Sequence, residues 1–290
     1  MREGESFRAV TWRRFRRSKL AVTALLYVAL MTAAALLAPL LATARPSAPV
    51  PFGPNDVDIA HRLEPPTAQH RFGTDDLGRD VLARMLHGAR ISLTVGFTAT
   101  AISLVVGSIL GALAGYYGGA ADWIVSRVIE IVLCFPFLFL VLGIIALFKP
   151  SLYTIMIALG LTSWTTEARF VRGEFLRIRN LEFAHAARAS GARDARIIFR
   201  HLLPNALAPV LVSASFGVAS AILIESALSF LGFGVPLPTA SWGGILAIAE
   251  EHIQYAWWLA FFPGVAIFLT VASFNIIGDR FRDAIDPRSD

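Results

Sequence analysis

The 290-residue sequence predicts an all-α membrane protein with six transmembrane helices and both termini cytoplasmic. Three observations predict it. First, 56% of residues are hydrophobic and only 16% are charged, against roughly 45–50% apolar and about 25% charged in soluble domains. Mean hydropathy is +0.61. Second, six windows approach the roughly 20 apolar residues that a helix needs to cross a bilayer. Third, arginine is distributed so that the intervening segments sort to two sides of a membrane. The composition excludes a soluble enzyme and a disordered chain. The net charge of +5 sits beside the apolar windows, which suits a cytoplasmic membrane face rather than nucleic acid. Lipid is the expected partner of the apolar faces.

The elements follow in order. Residues 1–19 form a basic cytoplasmic N-terminus with Arg2, Arg8, Arg13, Arg14, Arg16, Arg17 and Lys19. Leu20–Ala44 is the first span. Its basic start and its Ala42-Thr43-Ala44 end imitate a cleaved secretory signal, but the apolar run exceeds the usual 7–15 residues. It reads as a retained helix. Residues 45–90 carry six Arg and six acids and fall outside because their neighbours require it. Residues 91–280 form a five-helix core. Its windows are Ile91–Tyr116, Ile124–Phe148, Leu152–Phe170, Asn205–Leu231 and Trp257–Ile277, of which Leu152–Phe170 is the shortest and most polar. The segment 172–204 holds seven arginines and belongs in the cytoplasm. The stretch 233–256 has no Lys or Arg and belongs outside. Residues 281–290 are a cytoplasmic tail. No window alternates with the period of two that a lipid-facing barrel needs.

Within the second window Ala99, Ser103, Gly107, Gly111 and Gly115 recur every four residues. That spacing sets small side chains on one helix face, where a neighbouring backbone can approach closely. Pro39, Pro136, Pro209 and Pro263 lie in or near spans, where neighbours can satisfy the carbonyls that proline frees. The single cysteine, Cys134, lies in an apolar run and reads as a buried thiol.

Several kinds of chemistry are missing. No phosphate loop of the form GxxxxGK[ST] occurs, and Lys19 and Lys149 are the only lysines. The histidines lack zinc-site spacing, and no GxSxG nucleophile elbow occurs. No catalytic, cofactor-binding or metal-ligating residue is therefore expected. The extracytoplasmic segments are too short for a solute-capturing domain. If solute crosses here, energy and capture must largely come from other chains.

Residues 172–204 are patterned despite their length. Asn180 is placed to cap a helix from Leu181 to Ser190, which the alanines at 184, 186, 187 and 189 favour. Gly191 suits a left-handed helix end. A second helical run, Asp194–Leu203, precedes a break at Pro204. A thin helix of this kind can rest on headgroups or enter a groove on a partner; the residues leave both open.

The spacing His185-Ala186-Ala187, three residues, Gly191, nine residues, then His201-x-Leu203-Pro204 resembles the EAA loop of ABC importer permeases. His185 replaces the usual Glu and His201 the usual Ile. Residues 70–93, HRFGTDDLGRDVLARMLHGARISL, and 222–245, ILIESALSFLGFGVPLPTASWGGI, resemble the second-type membrane subunit of dipeptide and oligopeptide permeases. That group also includes nickel and glutathione importers. The likeness runs from the basic N-terminus to DRFRDAIDPR near the end. It implies a MetI-like type I ABC importer permease fold in a prokaryotic plasma membrane. It also implies His185, Ala186, Ala187, Gly191, Leu203 and Pro204 as the ATPase-coupling residues. The implied partners are a homologous second permease subunit, one or two ABC ATPase subunits that bind the ATP and Mg, and an extracytoplasmic substrate-binding protein.

Glu225 is the candidate for contact with solute, because a carboxylate inside a span normally faces a partner or a watery cavity. A structural hydrogen bond within the bundle is the competing reading. Glu225 also supports a rival function, a secondary transporter driven by an ion gradient. Arg127 and Glu130 fall on one helix face and read as an interfacial pair. Asp75, Asp76, Arg79 and Asp80 crowd the outer segment, where Asp75 is expected to cap the helix leading to the second span.

Overall fold

The computed structural model describes residues 7–285. Arg2 of the basic cluster and residues 286–290 of the expected tail lie outside the described residues. Helices dominate: α1 (Phe7–Arg17), α2 (Lys19–Leu41), α3 (Val81–Tyr117), α4 (Gly119–Leu133), α5 (Phe137–Leu147), α6 (Leu152–Ile178), α7 (Glu182–Ala189), α8 (Asp194–Arg196), α9 (Leu203–Phe230), α10 (Trp242–His252) and α11 (Trp258–Ile285). Among the described residues the β features are two isolated bridges, Ala42 with Val50 and Thr74 with Asp80.

Four helices are long and apolar enough to cross a membrane: α2, α3, α9 from Val210 onward, and α11. The count reaches five if α4 and α5, bent by 89° at their junction, form one crossing. The expected third span is therefore not one rod. Pro136 cannot donate the helical bond and disfavours helix at the residue before it, so the chain turns there. The helix α6 falls short in apolarity because its second half carries Glu167, Arg169, Arg172, Glu174 and Arg177.

The long helix α3 organises the bundle. Its 37 residues span about 55 Å at 1.5 Å per residue. Asp80, not Asp75, caps it: the Asp80 carboxylate accepts from Ala83 N at 2.8 Å. Asp75 instead accepts from the amides of Leu77 and Arg79 and from Arg79 Nε. Against α3 lies α6. A Cβ on Gly160 would meet Ile102, one on Gly107 would meet Trp164 and Glu167, and one on Gly111 would meet Ala168. A Cβ on Gly115 would meet Arg172 and Phe175. Residue numbers rise together along both helices, so α3 and α6 run parallel. The chain between them, α4 and α5, must travel back the length of the bundle.

The remaining helices alternate. The end of α2 meets the start of α3 through the His87 Nε2 and Ala42 O contact at 3.0 Å. The start of α2 and the end of α11 share a small core of Phe15, Ala21 and Ala284. In α9, Gly217 touches Thr100 while Ile222 touches Gly96, so α9 runs against α3. One end of the bundle thus gathers α1, α7 and the end of α11. The other gathers residues 42–80 and α10.

Three further local expectations are corrected. Asn180 does not cap α7; Leu181 stands at that position, and Asn180 Nδ2 donates back to Leu176 O at 3.4 Å. Pro204 does not interrupt the chain. It occupies the first turn of α9, and a π-helical turn over Ile197–Leu202 leads into it. Proline is tolerated there because the first-turn amides of a helix need no partner within it. Cys134 is exposed rather than buried, since it ends α4 at the bend.

Candidate functional site

Three arrangements carry the chemistry. The first is the loop at the α7 end. Helix α7 buries Ala184 against Phe175, Ile178, Ile197, Ile198 and Leu202. Its opposite face, with His185 and Ala186, is exposed. Ala187 and Leu203 are half-buried beside the same core, and Pro204 is exposed. Gly191 adopts φ +74° with nothing within 4 Å of where a Cβ would stand. The amide of Ala192 donates to Ala187 O at 3.1 Å and that of Gly191 to Arg188 O at 2.9 Å. This pair of bonds closes the helix in the manner that a left-handed residue permits.

The loop is anchored to α3. Arg179 donates through Nη1 to Gly115 O at 3.0 Å and Tyr116 O at 3.2 Å, satisfying carbonyls at the negative end of the helix. Tyr116 donates its hydroxyl to Asp194 at 2.6 Å. Arg188 lies over the Tyr116 ring, 5.4 Å from its centroid, within cation–π range. Arg172 forks onto both oxygens of Asp122, joining α6 to α4. These anchors were not legible in the sequence, because each pairs residues 50 or more positions apart.

The second arrangement is a cavity of about 1070 Å³ between α3, α5, α6 and α9. It extends from Thr100 and Ile224 in mid-bundle to Glu174, Arg282 and Ile285 at the α7 end. Its wall is mostly apolar, with hydroxyls set into it, among them Ser103, Thr162, Ser163, Ser213 and Ser220. Glu167 is the carboxylate deepest in its wall, and Ser213 Oγ donates to Glu167 Oε2 at 2.6 Å. The sequence reading passed over Glu167. The signal was present: a lone carboxylate in the most polar apolar window.

The third arrangement surrounds Glu225, which is 0% exposed and is not among the residues lining the cavity. Ser92 Oγ donates to its Oε2 at 3.0 Å and Ser229 Oγ to its Oε1 at 2.8 Å. Ser241 Oγ reaches Ser229, and Trp242 N donates to Ser92 Oγ. One carboxylate thereby ties α3, α9 and the start of α10. Nearby, Asp75 pairs with buried Arg79 and Arg84, and Asp80 pairs with His70 Nδ1 at 2.9 Å. Trp242 Nε1 donates to Met85 O at 3.1 Å. The stretches 70–93 and 222–245 therefore pack against each other. Arg127 and Glu130 do pair, both exposed.

Comparison with known proteins adds the decisive observation. Residues 107–290 match the family model described as binding-protein-dependent transport system inner membrane component. The chain belongs to that family. Residues 6–66 match the N-terminal TM domain of oligopeptide transport permease C. The dipeptide transport system permease protein DppC of Alkalihalophilus pseudofirmus is 41% identical over 277 residues, covering 96% of this chain and 88% of that one. The oligopeptide transport system permease protein OppC of Bacillus subtilis is 38% identical over 275 residues, covering 95% and 88%. The chain is thus a multi-pass membrane permease of the C type.

Among solved structures, the fold is similar to that of the MetNI methionine ABC transporter in inward-facing conformations. The TM-score is 0.56 at 22% identity, covering 69% of this chain and 95% of that one. An amino acid ABC transporter gives a TM-score of 0.53 at 17% identity, covering 69% and 92%.

Proposed function

We propose that this permease forms half of the path of an ATP-driven importer of dipeptides or oligopeptides. A homologous second permease subunit supplies the other half. ATPase subunits, which hold the ATP and Mg, dock on residues 181–203. An extracytoplasmic binding protein delivers solute. The chain crosses the membrane six times, by α2, α3, the bent α4–α5 pair, α6, α9 and α11, with both termini in the cytoplasm. The parallel run of α6 beside α3 supports counting α6 and the α4–α5 pair as crossings.

The observation that carries this reading is α7. It is a short helix with one face packed on the bundle and the His185–Ala186 face free. Its fastenings to the end of α3 make it a handle through which a partner can move the spans. A bistable bundle then alternates access as ATP is bound and hydrolysed below. The relatives named as dipeptide and oligopeptide permeases support a peptide solute. The enclosed setting of Glu225 supports a structural part for it over an ion-carrying part, and so weakens the secondary-transporter reading.

The test is crosslinking in intact cells. His185→Cys in a Cys134→Ser background, labelled with a maleimide–benzophenone photocrosslinker that inserts into C–H bonds of any neighbour, is expected to capture a nucleotide hydrolase on irradiation. A reagent that labels the position yet never captures an ATPase overturns the reading. So does the purified chain moving peptide into liposomes under a proton gradient without partners.

A further inference from the structure

The cavity contains a charge that the family reading does not assign. Glu167 is 5% exposed, and the cavity is the space it faces. Its Oε2 accepts from Ser213, and its Oε1 accepts no hydrogen bond among the described residues. A carboxylate with one oxygen held and the other free is oriented but unsaturated. Arg169, two positions on, does not line this cavity. The cation on the cavity wall among the described residues is Arg282, at the α7 end. Glu174 follows Glu167 by two helical turns on the same face, but it already accepts from Arg177 at 2.8 Å.

The geometry favours a definite ligand chemistry. An oriented carboxylate in a confined, partly desolvated space attracts a cation far more strongly than in bulk water. The wall around it offers hydroxyls that can complete the coordination of an ammonium. Gly107 stands directly behind it: a Cβ there would lie 2.6 Å from Glu167 Cβ, so α3 holds the side chain forward into the space. The cavity, at about 1070 Å³, is slightly larger than the usual range of roughly 300–1,000 Å³ for small-molecule sites.

We propose that Glu167 is the solute-contacting carboxylate of this chain's half of the path, and that its ligand is a primary ammonium on the solute. The ammonium is a peptide amino terminus or a lysine side chain. The proposal rests on the peptide-permease reading.

The full complex, with its partner permease, ATPases and binding protein, is reconstituted in lipid. Uptake of Ala-Ala, Ala-Lys and Ala-Asp is measured for wild type, Glu167→Gln, Glu167→Asp and Ser213→Ala. Glu167→Gln is expected to lower uptake about tenfold, an ordinary magnitude for one lost charge contact. A fall for all three peptides identifies the amino terminus; a fall for Ala-Lys alone identifies the side chain. Glu167→Asp should recover most of the loss. Ser213→Ala, which keeps the charge but releases the bond that orients it, should lose less than Glu167→Gln, about threefold against wild type.

Unchanged uptake in Glu167→Gln overturns the proposal. So does an equal loss in Ser213→Ala, which would make the hydrogen bond rather than the charge the active feature. Loss of the partner permease from the Glu167→Gln complex in a pull-down also overturns it, because the carboxylate would then bind a subunit. If the wild-type complex hydrolyses ATP yet moves none of the three peptides, the peptide reading itself fails, and this proposal with it.

Discussion

At the scale of single residues, Glu167 and Glu225, the buried carboxylates of α6 and α9, have opposite surroundings and predict opposite phenotypes. Glu225 is saturated by Ser92 and Ser229 and has no access to the cavity. An intramembrane carboxylate costs roughly 2.5–3.5 kcal/mol on insertion scales, so its hydroxyl partners are part of the fold. Glu225→Leu leaves those hydroxyls facing an apolar group and is expected to cost about 1–3 kcal/mol. The loss should appear as a lower melting temperature in detergent, with Glu225→Gln losing less. A Leu variant as stable as wild type would show that the network contributes nothing. Gly191 gives a second prediction. Its φ of +74° costs an L side chain about 1–2 kcal/mol, and nothing nearby offsets or adds to that. Gly191→Val should fray the end of α7 and abolish uptake while the permease still inserts. Normal uptake would count against α7 as the handle. The left-handed role of Gly191 was legible because glycine after an alanine-rich run has few other uses. For Glu167 only its presence in the window was legible; its facing was not, because one carboxylate in an apolar window says nothing about which way it points.

At the scale of elements, the small-residue face of α3 decides how closely α6 approaches. A Cβ on Gly111 would overlap Ala168 O and stand 2.9 Å from Val171 Cβ. Intrinsic propensity favours alanine over glycine in a helix by about 1 kcal/mol, yet overpacking here should reverse the sign. Gly111→Ala is expected to destabilise by about 1–3 kcal/mol. Gly264→Ala, on α11 with nothing within 4 Å of its Cβ position, should keep the propensity gain and stabilise by up to about 1 kcal/mol. Thermal unfolding of the two variants side by side checks this, and equal effects would remove the packing argument. The period-four spacing was readable in the sequence because helical geometry turns it into a face. The partner helix was not readable, since no local signal names α6. The bend at Pro136 was visible as a proline but not as an 89° turn, because neighbours determine whether a proline kinks or breaks a span. Helix α10 escaped notice because its residues sit in a segment read as an outer loop; Ser241 caps it by accepting from Gly244 N at 3.1 Å.

At the scale of the whole molecule, the parallel packing of α3 and α6 makes topology testable by parity. If α3, the α4–α5 pair and α6 all cross, the chain passes through the bilayer three times between Val57 and Ala186. The two positions then face opposite sides. If the bent pair only dips in and returns, the number is two and both face the same side. However, α3 and α6 end together at Gly115 and Phe175, and a re-entrant pair could not carry the chain back to start α6 at the other end. Three crossings are therefore expected. Val57 and Ala186 are both exposed, so single cysteines there, in a Cys134→Ser background, should be reachable. A membrane-impermeant maleimide should label Val57→Cys in spheroplasts and Ala186→Cys only in inverted vesicles. Labelling of both from one side would make α4–α5 a re-entrant hairpin. Labelling with the sides exchanged would turn the whole bundle over, setting α7 and its exposed histidine where no cytoplasmic motor could reach them.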